Sequence, residues 1–203
     1  MSHTTDFLHD TAQILTQLDV QTLDRTVGML VKLRERAGRL FVLGIGGCAA
    51  NAGHMVADFR KMAQIEAYAP TDNLAEFTAR ADDDGWESTF VPWLAISRLS
   101  DRDMVFVLSV GGGDIERNVS STLVRALQYA QEIGATICGI VGRNGGYTAR
   151  VADACIVVPT VNTTTVTPHT EAFQALLWHL IVSHPALHAV HRQWDSACPR
   201  RAA

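Results

Sequence analysis

The chain has 203 residues, a length typical of one domain with a sizeable core. Hydrophobic residues make up 47% and charged residues 19% of it, as in a compact globular protein. A net charge of -4 without any basic run argues against nucleic acid as a partner. No apolar run is long enough to cross a bilayer and the N-terminus lacks a signal-peptide pattern, so we expect a cytoplasmic protein with no membrane partner.

Two amphipathic helices are predicted at the start of the chain. Apolar residues recur at helical spacing from Thr5 to Arg36, with a break near Asp19 to Thr22. Such a pair serves for dimerisation or as a lid, or packs on its own domain. A short helix is also expected from Ala186 to Trp194, with His188 and His191 exposed.

A strand, a glycine-rich turn and a helix follow the first pair of helices. Leu40 to Leu43 is predicted as a buried strand, and the glycines from Gly44 to Gly47 allow a sharp turn and close approach of a ligand. The helix is expected to begin near Asn51. Unpaired N–H groups and the helix dipole point into such a loop, which therefore suits an anion, and we expect phosphate.

The helix after this loop carries a His and an Asp on one face. His54 and Asp58 are four residues apart, one helical turn from each other. Together they can bind a metal ion or exchange a proton with a substrate. An ordinary surface pair is the competing interpretation.

Strands and helices alternate through the rest of the chain. Further strands are predicted at 65–69, 104–110, 135–141 and 154–158, with helices from about 72 to 81, 116 to 133 and 168 to 183. This alternation implies a parallel sheet covered by helices on both faces, a three-layer αβα sandwich with five strands. We expect a single domain: a helical pair (1–38), an αβα core (39–185) and a C-terminal helix and tail (186–203).

Two further features point to the same edge of the sheet. A second glycine loop, Gly111 to Asp114, follows the third strand, and loops at the carboxyl ends of neighbouring parallel strands face one crevice. Glu171 and His179 lie on an apolar helix near the end of the chain. Because a buried charge needs a partner, His54 and Asp58 are the natural candidates.

The four cysteines, Cys48, Cys138, Cys155 and Cys198, show no CxxC spacing and are expected to be reduced. Only Cys48, at a helix N-terminus, stands where a lowered thiol pKa could assist chemistry.

With these residues assembled, the chain resembles the SIS (sugar isomerase) domain family, and within it the phosphoheptose isomerases. The segments that carry the likeness are GIGGCAANAGHMVADF, LSVGGGDIERN, VGRNGGYTARVADACIVVP and TEAFQALLWHL. The resemblance implies a flavodoxin-like doubly wound fold and isomerisation of a phosphosugar between aldose and ketose, with sedoheptulose 7-phosphate as the expected substrate. It also implies a homotetramer.

The resemblance further implies roles for individual residues. Asp58 and His179 stand at the catalytic positions, as base and acid or the reverse. His54, Asp58, Glu171 and His179 would hold a divalent metal, with zinc the expected ion. Substrate contacts are expected from Gly46, Gly47, Cys48, Asn51, Asp83, Ser109, Gly111, Gly112, Asn118 and Glu171.

The chain departs from the family pattern at several of these positions. Cys48 replaces a serine, and glycines 111 to 113 replace hydroxyl residues, so side-chain donors for phosphate are fewer. Asp58 stands in place of a glutamate and Glu171 in place of a glutamine.

The sequence is also compatible with two other functions. The first is a non-catalytic phosphosugar-binding or regulatory SIS protein, which the smaller number of hydroxyl side chains in the second glycine loop would favour. A nucleotide site is suggested by Gly44-x-Gly46-x-x-Ala49, but Glu66 stands at the start of its strand instead of the end, so no nucleotide cofactor is expected.

Overall fold

The fold is a five-stranded parallel sheet, seen in a computed structural model that describes residues 2–189. The strand order is β2-β1-β3-β4-β5, and every neighbouring pair is parallel. The strands are β1 (Leu40–Gly44), β2 (Ala67–Tyr68), β3 (Met104–Ser109), β4 (Thr136–Val141) and β5 (Ala154–Val157). This order confirms the predicted flavodoxin-like doubly wound sheet.

Eight α-helices surround the sheet in the described part of the chain. They are α1 (His3–Thr16), α2 (Val20–Glu35), α3 (Gly47–Asp58), α4 (Leu74–Asp83), α5 (Phe90–Ile96), α6 (Ser121–Ile133), α7 (Gly146–Val151) and α8 (Val166–Val182). Between residues 2 and 189 none of them has the length and apolarity that a membrane span requires.

Alternate residues of each strand pack into two separate cores. Leu40 and Val42 of β1 join the core beneath α1, α2, α3 and α8, whereas Phe41 and Leu43 join the core beneath α5 and α6. Both faces of the sheet are therefore covered, which explains why the strands are continuous apolar runs in the sequence.

The predicted break between the first two helices is confirmed. The carboxylate of Asp19 accepts hydrogen bonds from the N–H groups of Gln21 and Thr22 and so caps the start of α2.

Three helices begin elsewhere than predicted. Helix α3 begins at Gly47 instead of near Asn51, because Gly46, with φ of 63°, turns the chain directly into the helix. Helix α6 begins at Ser121, because Asp114 and Val119 first form an antiparallel bridge. Helix α8 begins at Val166, since a proline in the first turn removes no intrahelical hydrogen bond.

The C-terminal helix expected from residue 186 is not formed as far as Ala189, where the chain makes a turn. Arg34 donates hydrogen bonds to the carbonyl oxygens of Ala186 and Leu187, both at 2.8 Å, and so holds this turn against α2. His188 is half-buried instead of exposed as expected. The rest of that prediction, including His191, lies outside the described residues.

Candidate active site

The first glycine loop joins β1 to α3 and is closely packed at two of its glycines. A Cβ atom on Gly44 would overlap the carbonyl of Cys48, and one on Gly47 would lie 2.6 Å from the carboxylate oxygens of Glu171. The Cys48 thiol, in the first turn of α3, lies 3.8 Å from the Glu171 carboxylate, so this turn packs against the N-terminal half of α8.

The second glycine loop packs directly on the turn that follows β4. The N–H groups of Tyr147 and Thr148 donate to the carbonyls of Gly113 and Gly112, at 2.7 and 2.9 Å. A Cβ atom on Gly112 would overlap the carbonyl of Gly145. Of the three glycines in the second loop, Gly112 is therefore required by the close packing of the two loops, whereas Gly111 has room for a Cβ atom.

A cleft of about 700 Å³ opens at the carboxyl ends of the strands, the edge where the sequence predicts it. Four predicted substrate residues line it: Cys48, Ser109, Gly111 and Glu171. Gly46, Gly47 and Gly112 shape the loops around it without lining it.

Three predicted substrate residues lie outside the cleft. The side-chain amide of Asn51 donates to the carbonyl of Glu171 and to Gln174, and so joins α3 to α8. Asp83 is exposed at the end of α4, in a solvated run of aspartates. Asn118 is exposed, with its amide 3.4 Å from the carboxylate of Glu87.

A second group of polar side chains lies further along α3 and α8. The Oδ2 atom of Asp58 is 3.8 Å from Nε2 of His54 and 3.6 Å from Nε2 of His179. Asp58 is 8% exposed, whereas both imidazoles reach solvent. The face of α3 that carries His54 and Asp58 thus packs against α8, as the sequence predicts. The Asp58 carboxylate is buried between the two imidazoles.

The tautomer of His179 follows from its backbone contact. Its Nδ1 atom is 2.6 Å from the carbonyl oxygen of Ala175, which can only accept, so Nδ1 carries the proton. In the neutral ring the lone pair is then on Nε2, which faces Asp58. The indole of Trp178 stacks on the His179 ring at 3.5 Å and contacts the edge of His54 at 4.7 Å, which restrains both imidazoles.

Glu171 does not join this group, contrary to the four-ligand metal set. Within residues 2–189, the donor atoms that lie within 4.8 Å of one another belong to His54, Asp58 and His179. The reason is helical rise: eight residues along α8 separate Glu171 from His179 by about 12 Å. The Glu171 carboxylate instead accepts a hydrogen bond from the Cys48 thiol at 3.8 Å.

Cys48 is not an activated thiol. Burial raises its pKa, and the negative charge of Glu171 raises it further, although a hydrogen bond with Gln174 acts in the opposite direction. The thiol is thus protonated at neutral pH. Cys48, Cys138 and Cys155 are free, as predicted, and Cys198 lies outside the described residues.

Replacing Glu171 by glutamine is expected to lower the pKa of Cys48, because the substitution removes a neighbouring negative charge. Alkylation of Cys48 by iodoacetamide, followed by peptide mass spectrometry from pH 7 to 10, should then be faster in the variant at every pH below the wild-type pKa. The rate at Cys155, whose raised pKa is due to burial alone, is the internal control. An unchanged pH profile at Cys48 would contradict the effect of the Glu171 charge on the Cys48 thiol.

Sequence reasoning missed two residues of the site, Arg143 and Trp178. Arg143 lines the cleft from the turn after β4. A cationic residue beside a strand-end glycine and an aromatic residue next to His179 are the signals that were available.

The doubly wound parallel sheet, with glycine loops around a polar cleft and the His–Asp–His group of His54, Asp58 and His179 beside it, has the fold of the sugar-isomerase (SIS) domains. Among these, the sugar isomerase domain of an RpiR transcription factor from Sphaerobacter thermophilus superimposes with a TM-score of 0.58 at 21% identity over 88% of this chain and 87% of that one. Proteins of similar sequence indicate which family within this class the chain resembles. The phosphoheptose isomerase of Roseiflexus sp. (strain RS-1) is 30% identical over 166 residues, which cover 74% of this chain and 80% of that protein. The phosphoheptose isomerase of Rhodospirillum rubrum is 28% identical over 159 residues, covering 76% and 79%.

The fold of the chain is also similar to that of solved structures. The phosphoheptose isomerase of Neisseria gonorrhoeae superimposes with a TM-score of 0.75 at 21% identity, over 88% of this chain and 93% of that one. No protein-family model matches the chain. The chain belongs to the phosphoheptose isomerase family, as its motifs predicted, and is an aldose–ketose isomerase.

Proposed function

We propose that this chain interconverts sedoheptulose 7-phosphate and the corresponding aldose, a heptose 7-phosphate, by proton transfer through an enediol. The observation that carries the proposal is the buried carboxylate of Asp58 between two imidazoles, 3.6 and 3.8 Å from their Nε2 atoms. His54, Asp58 and His179 are all present although the second glycine loop lacks its hydroxyl side chains. Their presence favours an enzyme over a protein that only binds phosphosugars.

Isomerisation needs a base at the carbon that loses a proton and an acid at the carbonyl oxygen. Asp58 suits the base, since it is an acceptor held in place by burial. His179 suits the acid: in its protonated form it can donate from Nε2 to the substrate oxygen while Nδ1–H stays bonded to Ala175. The distances of 3.6 and 3.8 Å exceed those of a hydrogen bond, and such contacts shorten when substrate binds.

The separation between the cleft and the His–Asp–His group supports a long substrate. His54 is seven residues beyond Gly47 along α3, a rise of about 10 Å, and His179 is about 12 Å beyond Glu171 along α8. A phosphate in the cleft would therefore leave the reacting carbons far from it. An extended seven-carbon sugar with its phosphate at C7 and its reaction at C1 and C2 fits this separation.

The same three side chains fit a divalent metal ion. Two imidazole nitrogens and one carboxylate, with donor atoms within 4.8 Å of one another, are a donor set that suits zinc and leaves a position open for substrate. The bonded Nδ1 of His179 is the support that a metal-ligating imidazole normally has. A bound ion would supply positive charge to the carbonyl oxygen.

A homotetramer is part of the proposal. Leu176 and Leu180 are each 43% exposed on α8, on either side of His179. An interface that covers this apolar surface would lie next to the reacting groups and exclude water from them. Light scattering coupled to gel filtration gives the mass in solution that tests this, since 22.1 kDa is the mass of one chain.

The test of the activity is to incubate the purified protein with sedoheptulose 7-phosphate and to follow the aldose product. Three samples are compared: protein as isolated, protein stripped with a chelator, and stripped protein with added zinc. Turnover in any sample supports the isomerase. Tight binding of the sugar phosphate with no turnover in all three would contradict it and favour the regulatory alternative.

Replacing His54 by glutamine separates the two chemistries available to this group. If zinc is held here, we expect His54→Gln and His179→Gln to lose zinc equally in elemental analysis and to lose kcat equally. If Asp58 and His179 act without metal, His54→Gln should retain kcat within about tenfold, since His54 transfers no proton.

A further inference from the structure

Arg143 adopts a backbone conformation that side-chain-bearing residues usually avoid. Its φ is 52°, in the left-handed region, within a turn closed by a 3.0 Å hydrogen bond from the N–H of Gly145 to the carbonyl of Gly142. This turn fixes the point beside the cleft at which the Arg143 side chain leaves the backbone. The turn packs on the second glycine loop, where a Cβ atom on Gly112 would overlap the carbonyl of Gly145.

The side chain of Arg143 lies next to Gly111 of the second glycine loop. A Cβ atom added to Gly111 would lie 3.8 Å from the Cδ atom of Arg143, so the Arg143 side chain occupies the space next to that glycine. From there Arg143 lines the cleft together with Ser109. Arg143 thus stands over the loop that has no side-chain donors of its own.

Arg143 is also the cleft arginine whose guanidinium has neither a carboxylate nor an aromatic ring as a recorded partner within residues 2–189. Arg117 lies 3.9 Å from the carboxylate of Asp114, and the guanidinium of Arg150 lies over the Tyr147 ring at 5.4 Å. No carboxylate among residues 2–189 pairs with Arg143. An exposed, uncompensated guanidinium offers the planar pair of donors that matches two phosphate oxygens.

We propose that Arg143 binds the phosphate group of the substrate, in place of hydroxyl side chains on the second glycine loop. The N–H groups of its guanidinium donate to two phosphate oxygens, while Ser109 and the first turn of α3 contact the others. This inference rests on the proposed function in one respect, that the substrate carries a phosphate. In this role Arg143 contacts the phosphate equally well in the ground state and in the transition state of the reaction.

The experiment compares Arg143→Ala and Arg143→Lys with the wild type. Arg98→Ala is the matched control, because Arg98 is also an exposed arginine with left-handed φ, 54°, but lies before β3 at the opposite edge of the sheet. Calorimetry measures binding of sedoheptulose 7-phosphate, of sedoheptulose without phosphate, and of inorganic phosphate. Steady-state assays give kcat and KM.

For Arg143→Ala we expect weaker binding of sedoheptulose 7-phosphate and inorganic phosphate by about 10- to 100-fold, a matching rise in KM, and kcat within about threefold of wild type. Binding of unphosphorylated sedoheptulose should not change. Arg143→Lys should recover part of the loss, since lysine keeps the charge without the planar pair of donors. Arg98→Ala should match the wild type.

The two proposals can fail separately. Wild-type turnover with unchanged phosphate binding in Arg143→Ala overturns the role of Arg143 and leaves the isomerase intact. Absence of wild-type turnover, with phosphate binding that is lost in Arg143→Ala, overturns the isomerase and leaves the role of Arg143. An equal loss of phosphorylated and unphosphorylated sugar overturns the role of Arg143, because it would indicate a disturbed cleft.

Discussion

Replacing Asp58 by asparagine is expected to lower kcat by about a thousandfold, with KM little changed. The asparagine amide has nearly the same shape but cannot accept a proton from the substrate. Because the carboxylate is buried between the imidazoles of His54 and His179, no other carboxylate in residues 2–189 lies close enough to both to replace it. The measurement is steady-state kinetics with sedoheptulose 7-phosphate.

Asp101→Asn is the control for this variant, since Asp101 is exposed before β3, at the other edge of the sheet. His179→Gln should also lose about a thousandfold, and the double variant should lose little more than either single one, because the two groups act as a unit. An Asp58→Asn enzyme with more than a tenth of wild-type kcat would show that Asp58 is not the base.

The largest expected effect on stability is that of Asp103→Asn, at the amino edge of the sheet. The carboxylate of Asp103 accepts three hydrogen bonds from Arg39, at 2.7, 2.9 and 3.2 Å, and two from Ser100, both at 2.9 Å. Its side chain is 3% exposed, so the variant would leave the Arg39 charge without its partner in a largely buried site. We expect the free energy of unfolding at pH 7 to fall by about 3 kcal/mol.

The pH dependence of this contribution has a defined sign. Burial alone would raise the pKa of Asp103, but the hydrogen bonds from Arg39 and Ser100 outweigh it and hold the pKa below the ordinary value of 3.8. The stabilisation is therefore present above that ordinary value and is lost as the pH falls through the lowered pKa of the folded state. Urea unfolding from pH 7 to 3 should show a wild-type advantage that shrinks only below about pH 4.

For this measurement Asp101→Asn again serves as the control, with all proteins at one concentration because assembly shifts apparent stability. A constant difference between wild type and Asp103→Asn down to pH 3 would contradict the lowered pKa.

The sheet was predictable because its signal is local. Buried parallel strands such as β1 and β3 are continuous apolar runs that lead into glycine loops, and both appear where expected. The starts of α3 and α6 were not predictable in the same way. They depend on the left-handed φ of Gly46 and on the Asp114–Val119 bridge, and neither of these follows from hydrophobic periodicity.

The candidate site divides along similar lines. His54 and Asp58 share a helical face, so their proximity follows from spacing alone, and the contact with His179 required only that α3 pack on α8. The role of Glu171 was harder to predict, because residues eight apart share a stripe but not a position along the axis. Arg143 escaped notice because its place over Gly111 depends on the packing of two loops that are distant in sequence.

The most direct test of proton transfer at Asp58 is the reaction of sedoheptulose 7-phosphate in D2O, followed by NMR. The base takes a proton from the substrate and exchanges it with solvent, so the wild-type enzyme should place solvent deuterium at C2 of the aldose. Asp58→Asn should place none. An Asp58→Asn enzyme that turns the substrate over and places solvent deuterium at C2 as the wild type does would contradict Asp58 as the base.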